Sequence, residues 1–189
     1  MKPEDVLESI EALAPRQGLP IIGPKRGKFL DEVIEAHKPS TILEVGTLVG
    51  YSAIRMGRHL NEGQKLTCVE LREDMARIAR SNFSRAGLSD RIEVIVGDAM
   101  KVLPTLTGSL DMAFFDAVKG DYLAYLKYIE KRLHKGSVVV ADNVKSHASE
   151  VAAYLDYVRK SGEYVSTYRE APPSFGTGPG DAVEISVKL

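Results

Sequence analysis

The sequence predicts an α/β fold, a Rossmann-like doubly wound sheet of seven strands, mostly parallel with a C-terminal antiparallel hairpin. Three observations predict it. Five short apolar runs alternate with longer segments of helical spacing. The runs are almost continuously apolar, as strands are when helices cover both faces of a parallel sheet. Two final β-like runs have no helix between them, so they pair antiparallel.

The elements follow in order. The first 38 residues form an N-terminal helical segment, in which Arg26–Lys38 carries Phe29, Leu30, Val33 and Ile34 at helical spacing. The first strand is Thr41–Val45, and a helix begins near Tyr51 or Ser52. Leu66–Val69 is the second strand, and Arg72–Ala86 is a helix with Met75, Ile78, Ala79 and Phe83 as its apolar positions. Ile92–Val96 and Leu110–Phe115 are the third and fourth strands. Asp121–His134 is a helix on Leu123, Leu126, Ile129 and Leu133, and Ser137–Ala141 is the fifth strand. Ser149–Lys160 is a helix on Val151, Ala152, Leu155 and Val158. The hairpin is Tyr164–Tyr168 and Val183–Leu189, joined through a Pro/Gly stretch at 172–180 that is too long for a tight turn. Loops of that length often serve as lids or binding loops.

The bulk numbers narrow the class. With 189 residues, 44% of them hydrophobic, the chain suits one domain, 1–189, comprising the helical segment 1–38 and a core over 39–189. Lys plus Arg is 25 and Asp plus Glu is 26, a balance that argues against a polyanion as principal partner. The single cysteine, Cys68, cannot close an internal disulfide, and no Cys/His set has zinc-ligand spacing. The stretch "MKPEDVLESIEALAPRQ" has no signal-peptide core, and no apolar run approaches the roughly 20 residues that cross a bilayer. A cytoplasmic protein with no membrane partner is the expectation.

In doubly wound sheets ligands bind beyond the carboxyl ends of the strands, near the point where strand order reverses. After the first strand comes "ILEVGTLVGYSA", where Gly46 and Gly50 flank a tight loop. Glu70 ends the second strand, 24 residues after Gly46, and a carboxylate about 20 residues beyond such a loop is placed to hold a ribose diol. Asp98 stands past the third strand in "VIVGDAM". The diphosphate fingerprint G-x-G-x-x-G is not matched, because position 48 is leucine. The spacing suits a nucleoside without a diphosphate, such as S-adenosylmethionine; a plain glycine turn with a solvated Glu70 is the other reading.

At the fourth and fifth strand ends, "FFDAVKGDY" and "VVVADNV" present Asp116, Asp142 and Asn143, with Lys119 close to Asp116. Three oxygen donors without Cys or His suit a hard cation such as Mg²⁺. Lys119 beside it could serve as a general base. Ordinary alternatives are that Asp116 caps the next helix and that Asp142-Asn143 makes a turn.

Together "PIIGPKRGKFLDEVIEAHKPS", "ILEVGTLVGYSAIRMG", "VEL", "VGDAMKVLP", "LDMAFFDAVKGDYL" and "VVVADNV" resemble the motif series of catechol O-methyltransferase and its metal-dependent relatives, from about Pro20 to Val144. The resemblance implies Mg²⁺, or another divalent cation, on Asp116, Asp142 and Asn143, with Lys119 as the catalytic base. It implies S-adenosylmethionine on Ile22, Glu44, Gly46, Thr47, Leu48, Gly50, Ser52, Glu70, Leu71, Gly97, Asp98, Ala99, Asp116 and Ala117. Within that set Glu70 would grip the ribose, Gly46 to Ser52 the methionine end, and Asp98 and Ala99 the adenine. The implied reaction transfers a methyl to one hydroxyl of a small vicinal diol; hydroxyuridine of transfer RNA and a non-catalytic cofactor-binding role are the alternatives. The chain departs from the pattern in having no tryptophan, in placing Ala117 and Val118 beside the metal position, and in offering only Glu170 and Asp181 for the family's substrate-side glutamate. It also starts with less helix over the pocket than its relatives, so a homodimer partner could supply cover.

Overall fold

The computed structural model describes residues 1–176 and 178–189. Among these residues seven strands form one sheet: β1 (Thr41–Val45), β2 (Lys65–Glu70), β3 (Ile92–Val96), β4 (Leu110–Phe115), β5 (Leu133–Ala141), β6 (Tyr164–Ala171) and β7 (Asp181–Lys188). Their order is β3-β2-β1-β4-β5-β7-β6. The first five pair in parallel, and β7 runs antiparallel to both β5 and β6. The expected hairpin is present, with its second strand inside the sheet and its first at the edge. Strand order reverses between β1 and β4, which puts a crevice over their carboxyl ends.

Strand alternation builds two cores from one sheet. In β4, Met112 and Phe114 join the core on one face, and Ala113 and Phe115 the core on the other. The first core is covered by α1 (Pro3–Gln17), α2 (Gly23–His37), α3 (Tyr51–Gly57) and α4 (Glu73–Arg85). The second lies under α5 (Ala99–Val102), α6 (Tyr122–Ile129) and α7 (Ala152–Lys160). Their termini carry ordinary signals. α1 has Pro3 in its first turn with Glu4 and Asp5, and Gly18 closes it in the left-handed region at φ 62°. Glu73 and Asp74 begin α4, and Arg85 lies in its last turn.

Several boundaries differ from the sequence reading: α2 begins at Gly23 rather than Arg26, β6 runs on to Ala171, and β7 begins at Asp181 rather than Val183. The helix expected over Asp121–His134 ends at Ile129, a 3₁₀ turn covers Glu130–Arg132, and β5 begins at Leu133 rather than Ser137. The early part of β5 is His134, Lys135 and Gly136, all exposed, so no apolar run marks it. Leu133 nevertheless pairs with Leu110 before the register shifts at Met112. The helix expected from Ser149 starts at Ala152, after turns. Of the Pro/Gly stretch 172–180, Thr177 lies outside the described residues.

Candidate active site

A cleft of about 600 Å³ opens at the carboxyl ends of β1, β2, β3 and β4. Its floor is the loop after β1. Gly46 sits at φ 90°, and a Cβ there would stand 2.5 Å from the Asp116 carbonyl oxygen. Only glycine lets the β1 loop lie against β4 in this way. Gly50, at φ 86°, faces the Phe83 ring, where a Cβ would come within 2.5 Å, so α3 starts hard against α4.

Glu70 points back into this loop. Its Oε2 accepts from the Thr47 and Leu48 amides at 3.2 and 2.8 Å, and its Oε1 from the Arg72 amide at 3.0 Å. The carboxylate therefore shapes the loop, with the conformation of Leu48 (φ 48°) as one result. Behind the floor, Glu44 is fully buried and accepts from the Ser52 hydroxyl. Burial pushes its carboxyl up to about 7, against the pull of that hydrogen bond. Asp98 caps α5, accepting from the Met100 amide at 2.9 Å.

Against the Gly46 loop stand the tips of the neighbouring strands β4 and β5. Lys119 Nζ lies 2.7 Å from Asp116 Oδ1. Asp142 is 1% exposed and meets the Arg26 guanidinium, Nε to Oδ1, at 2.9 Å. Burial raises the Asp116 carboxyl, and the Lys119 ammonium opposes the rise. Burial raises Asp142 too, and the Asp116 charge adds to it. Asn143 adopts φ 61° and donates from Nδ2 to Asp181 at 2.8 Å. Tyr122 ties the two tips together, its hydroxyl donating to the carbonyls of Phe115 (3.0 Å) and Asp142 (3.1 Å).

Asp116 and Asn143 line the cleft, and Asp142 stands behind its wall with both oxygens on Arg26; the three supply hard oxygen donors at adjacent strand tips. That donor set fits a small divalent cation, as the raised carboxyls do, since a cation would favour their charged forms. Among the described residues no group of three or more His, Cys, Asp or Glu is placed to hold a metal ion.

The cleft brings together Ile22, Gly46, Thr47, Leu48, Ser52, Glu70, Leu71, Gly97, Asp98, Ala99, Asp116, Ala117, Lys119 and Asn143. Glu44, Gly50 and Asp142 stand behind its wall. Sequence reasoning passed over Arg26, Tyr125 and His147, which also line it. Nothing local to Arg26 in the sequence marks it as Asp142's partner. Neither candidate for a substrate-side acid is free. Glu170 pairs with Lys145, and Asp181 is engaged with the turn after β5.

Residues 6–164 match the profile described as O-methyltransferase. Catechol O-methyltransferase of Sus scrofa is 37% identical over 154 residues, covering 78% of this chain and 82% of that one. The Mus musculus enzyme is 34% identical over 174 residues, covering 88% of this chain; the chain spans 65% of that relative's length. A solved O-methyltransferase from Bacillus cereus, in complex with SAH, superposes with TM-score 0.87 at 28% identity, covering 98% of this chain and 91% of that one. A sheet with this strand order, a glycine loop facing Glu70 and a matching profile over most of the sequence lead to one assignment: the chain belongs to the O-methyltransferase family.

Proposed function

We propose that the protein transfers the methyl group of S-adenosylmethionine to one hydroxyl of a small vicinal diol, with Mg²⁺ bound. The observation that carries this is the grouping of Asp116, Asp142, Asn143 and Lys119 at the tips of two adjacent strands, beside a cleft that the Gly46 loop and Glu70 also line.

S-adenosylmethionine supplies a methyl already activated on a sulfonium, so the protein's work is mostly alignment. Mg²⁺, held by Asp116, Asp142 and Asn143, would act as a Lewis acid on two neighbouring hydroxyls and ease loss of the reacting proton. Lys119 Nζ, after giving up a proton of its own to solvent, takes that proton as a neutral amine and returns to the ammonium that pairs with Asp116. Glu70, fixed by three amides, has lone-pair directions left for a ribose hydroxyl. The backbone at Gly46, held against Asp116, lets the methionine end approach the reacting tips. Ile22, buried at the start of α2, closes the cleft from the side of the helical segment.

The experiment is methyl transfer from labelled S-adenosylmethionine to a dihydroxybenzoate, first with Mg²⁺ and then with excess chelator. Transfer that stops on chelation is the expected result. Transfer that persists would remove the metal from the reading. No transfer to any vicinal diol, with S-adenosylmethionine bound, would remove the acceptor class.

A further inference from the structure

Asp181 is the first residue of β7 and comes from the part of the chain where the sequence is least informative. Its carboxylate is 7% exposed and accepts five hydrogen bonds, from Asn143 Nδ2, the Lys145 amide, the Ser146 amide and hydroxyl, and the Ala182 amide. All but the last come from the turn that follows β5. The Val144 amide also donates to the Ala182 carbonyl, at 3.1 Å. The start of β7 thus fixes residues 143–146 as a unit.

The bond to Asn143 has a chemical consequence beyond rigidity. A side-chain amide has one donating end and one accepting end, about equal in size, and only its partners decide which way it faces. Asp181 Oδ2 accepts and cannot donate, at 2.8 Å from Asn143 Nδ2. It therefore engages the nitrogen and leaves the oxygen as the uncommitted end of an amide whose residue lines the cleft. The left-handed backbone of Asn143, φ 61°, places the side chain at this fork, and asparagine tolerates that conformation.

We infer that Asp181 is a positioning residue: it selects the amide orientation that makes Asn143 an oxygen donor at the cation site. The inference rests on the proposed use of a divalent cation. An Asp181→Asn variant keeps the shape but puts a donor opposite a donor. The Asn143 amide then turns over and presents its N–H groups to the cation.

The test is direct Mg²⁺ binding by titration calorimetry on the full chain, with thermal unfolding in parallel. Wild type is expected to bind; if it does not, the metal reading itself fails, whatever Asp181 does. Given binding, Asp181→Asn should weaken Mg²⁺ affinity about tenfold or more, the usual cost of losing a partner that orients a ligand. Ser146→Ala removes one of the same hydrogen bonds without disturbing the amide, so it should lower the unfolding temperature and leave Mg²⁺ affinity unchanged. The exchange Asp181→Asn with Asn143→Asp restores donor to acceptor and should recover most of the lost affinity. Equal Mg²⁺ affinity in wild type and Asp181→Asn would overturn the inference. So would a matching loss in Ser146→Ala, or an exchange variant that recovers nothing.

Discussion

Arg26 of α2 and Asp142 at the tip of β5 form a two-point ion pair across 116 residues of chain, with Nε–Oδ1 at 2.9 Å and Nη2–Oδ2 at 3.2 Å. The side chains are 12% and 1% exposed. Removing one member of such a pair leaves a desolvated charge and costs about 3 kcal/mol or more. Arg26→Met should therefore lower stability by about 3 kcal/mol at pH 8 in chelator, read by urea unfolding. The deficit should narrow toward pH 5, because a protonated Asp142 needs no counter-charge. A deficit that stays constant with pH would mean that Arg26 contributes packing rather than charge.

Glu44 gives a pH dependence of opposite sign to that of an ordinary carboxylate. Its folded pKa lies above the unfolded one, 4.5 raised to about 7, because burial penalises the ion. The folded state holds the proton more tightly, so the penalty is absent below the unfolded value and grows as pH rises through the folded one. Wild type should lose on the order of 3 kcal/mol of stability between pH 4.5 and 8 from this group. Glu44→Gln should flatten that part of the profile and unfold at a higher temperature than wild type at pH 8. Parallel profiles for the two proteins would show that Glu44 stays charged in the fold.

Gly46→Ala should damage both stability and cofactor binding. The new Cβ would stand 2.5 Å from a backbone carbonyl, where no side chain can yield, and the φ of 90° is unfavourable for alanine. A cost of about 2 kcal/mol or more is expected by thermal unfolding, with weaker S-adenosylmethionine binding by calorimetry. Wild-type affinity in this variant would mean that the loop reaches its cofactor by another path.

Lys119 and Glu70 should separate chemistry from binding. Lys119→Ala is expected to lower kcat by about a hundredfold or more while S-adenosylmethionine affinity stays within about twofold of wild type. Glu70→Ala should act the other way. It removes the acceptor that organises the Thr47 and Leu48 amides, so cofactor affinity falls much more than Mg²⁺ affinity. Equal effects of both variants on both measurements would remove the assigned division of labour.

The strand tips were legible because apolar runs stop on glycine or a carboxylate there: Val45 before Gly46, Phe115 before Asp116, Ala141 before Asp142. The glycine loop was legible because its spacing excludes a diphosphate. Relationships across long stretches of chain were not. Nothing local to Arg26 points to Asp142, and nothing in "GPGDA" marks Asp181 as the partner of Asn143. Tyr122 reads as one more apolar position of α6, yet its hydroxyl joins the carbonyls of Phe115 and Asp142. The first turns of β5 were missed for a different reason. His134, Lys135 and Gly136 are polar or small and exposed, and they fall in the register shift between the Leu133–Leu110 and Val138–Met112 pairs.

The seating of β7 between β5 and β6 also bears on how the protein is made. A ribosome delivers β1 to β5 first, and those strands can assemble in parallel with their crossover helices as they emerge. Until β7 arrives, the outer rim of β5 stays an open row of amides and carbonyls, and β6 has no neighbour. Open rims of this kind recruit other chains. Nascent or truncated forms lacking the residues from Asp181 onward would be the sticky ones, and would be natural clients for chaperones. The same late arrival means that the turn bearing Asn143 takes its final shape only after nearly all the rest of the sheet is built.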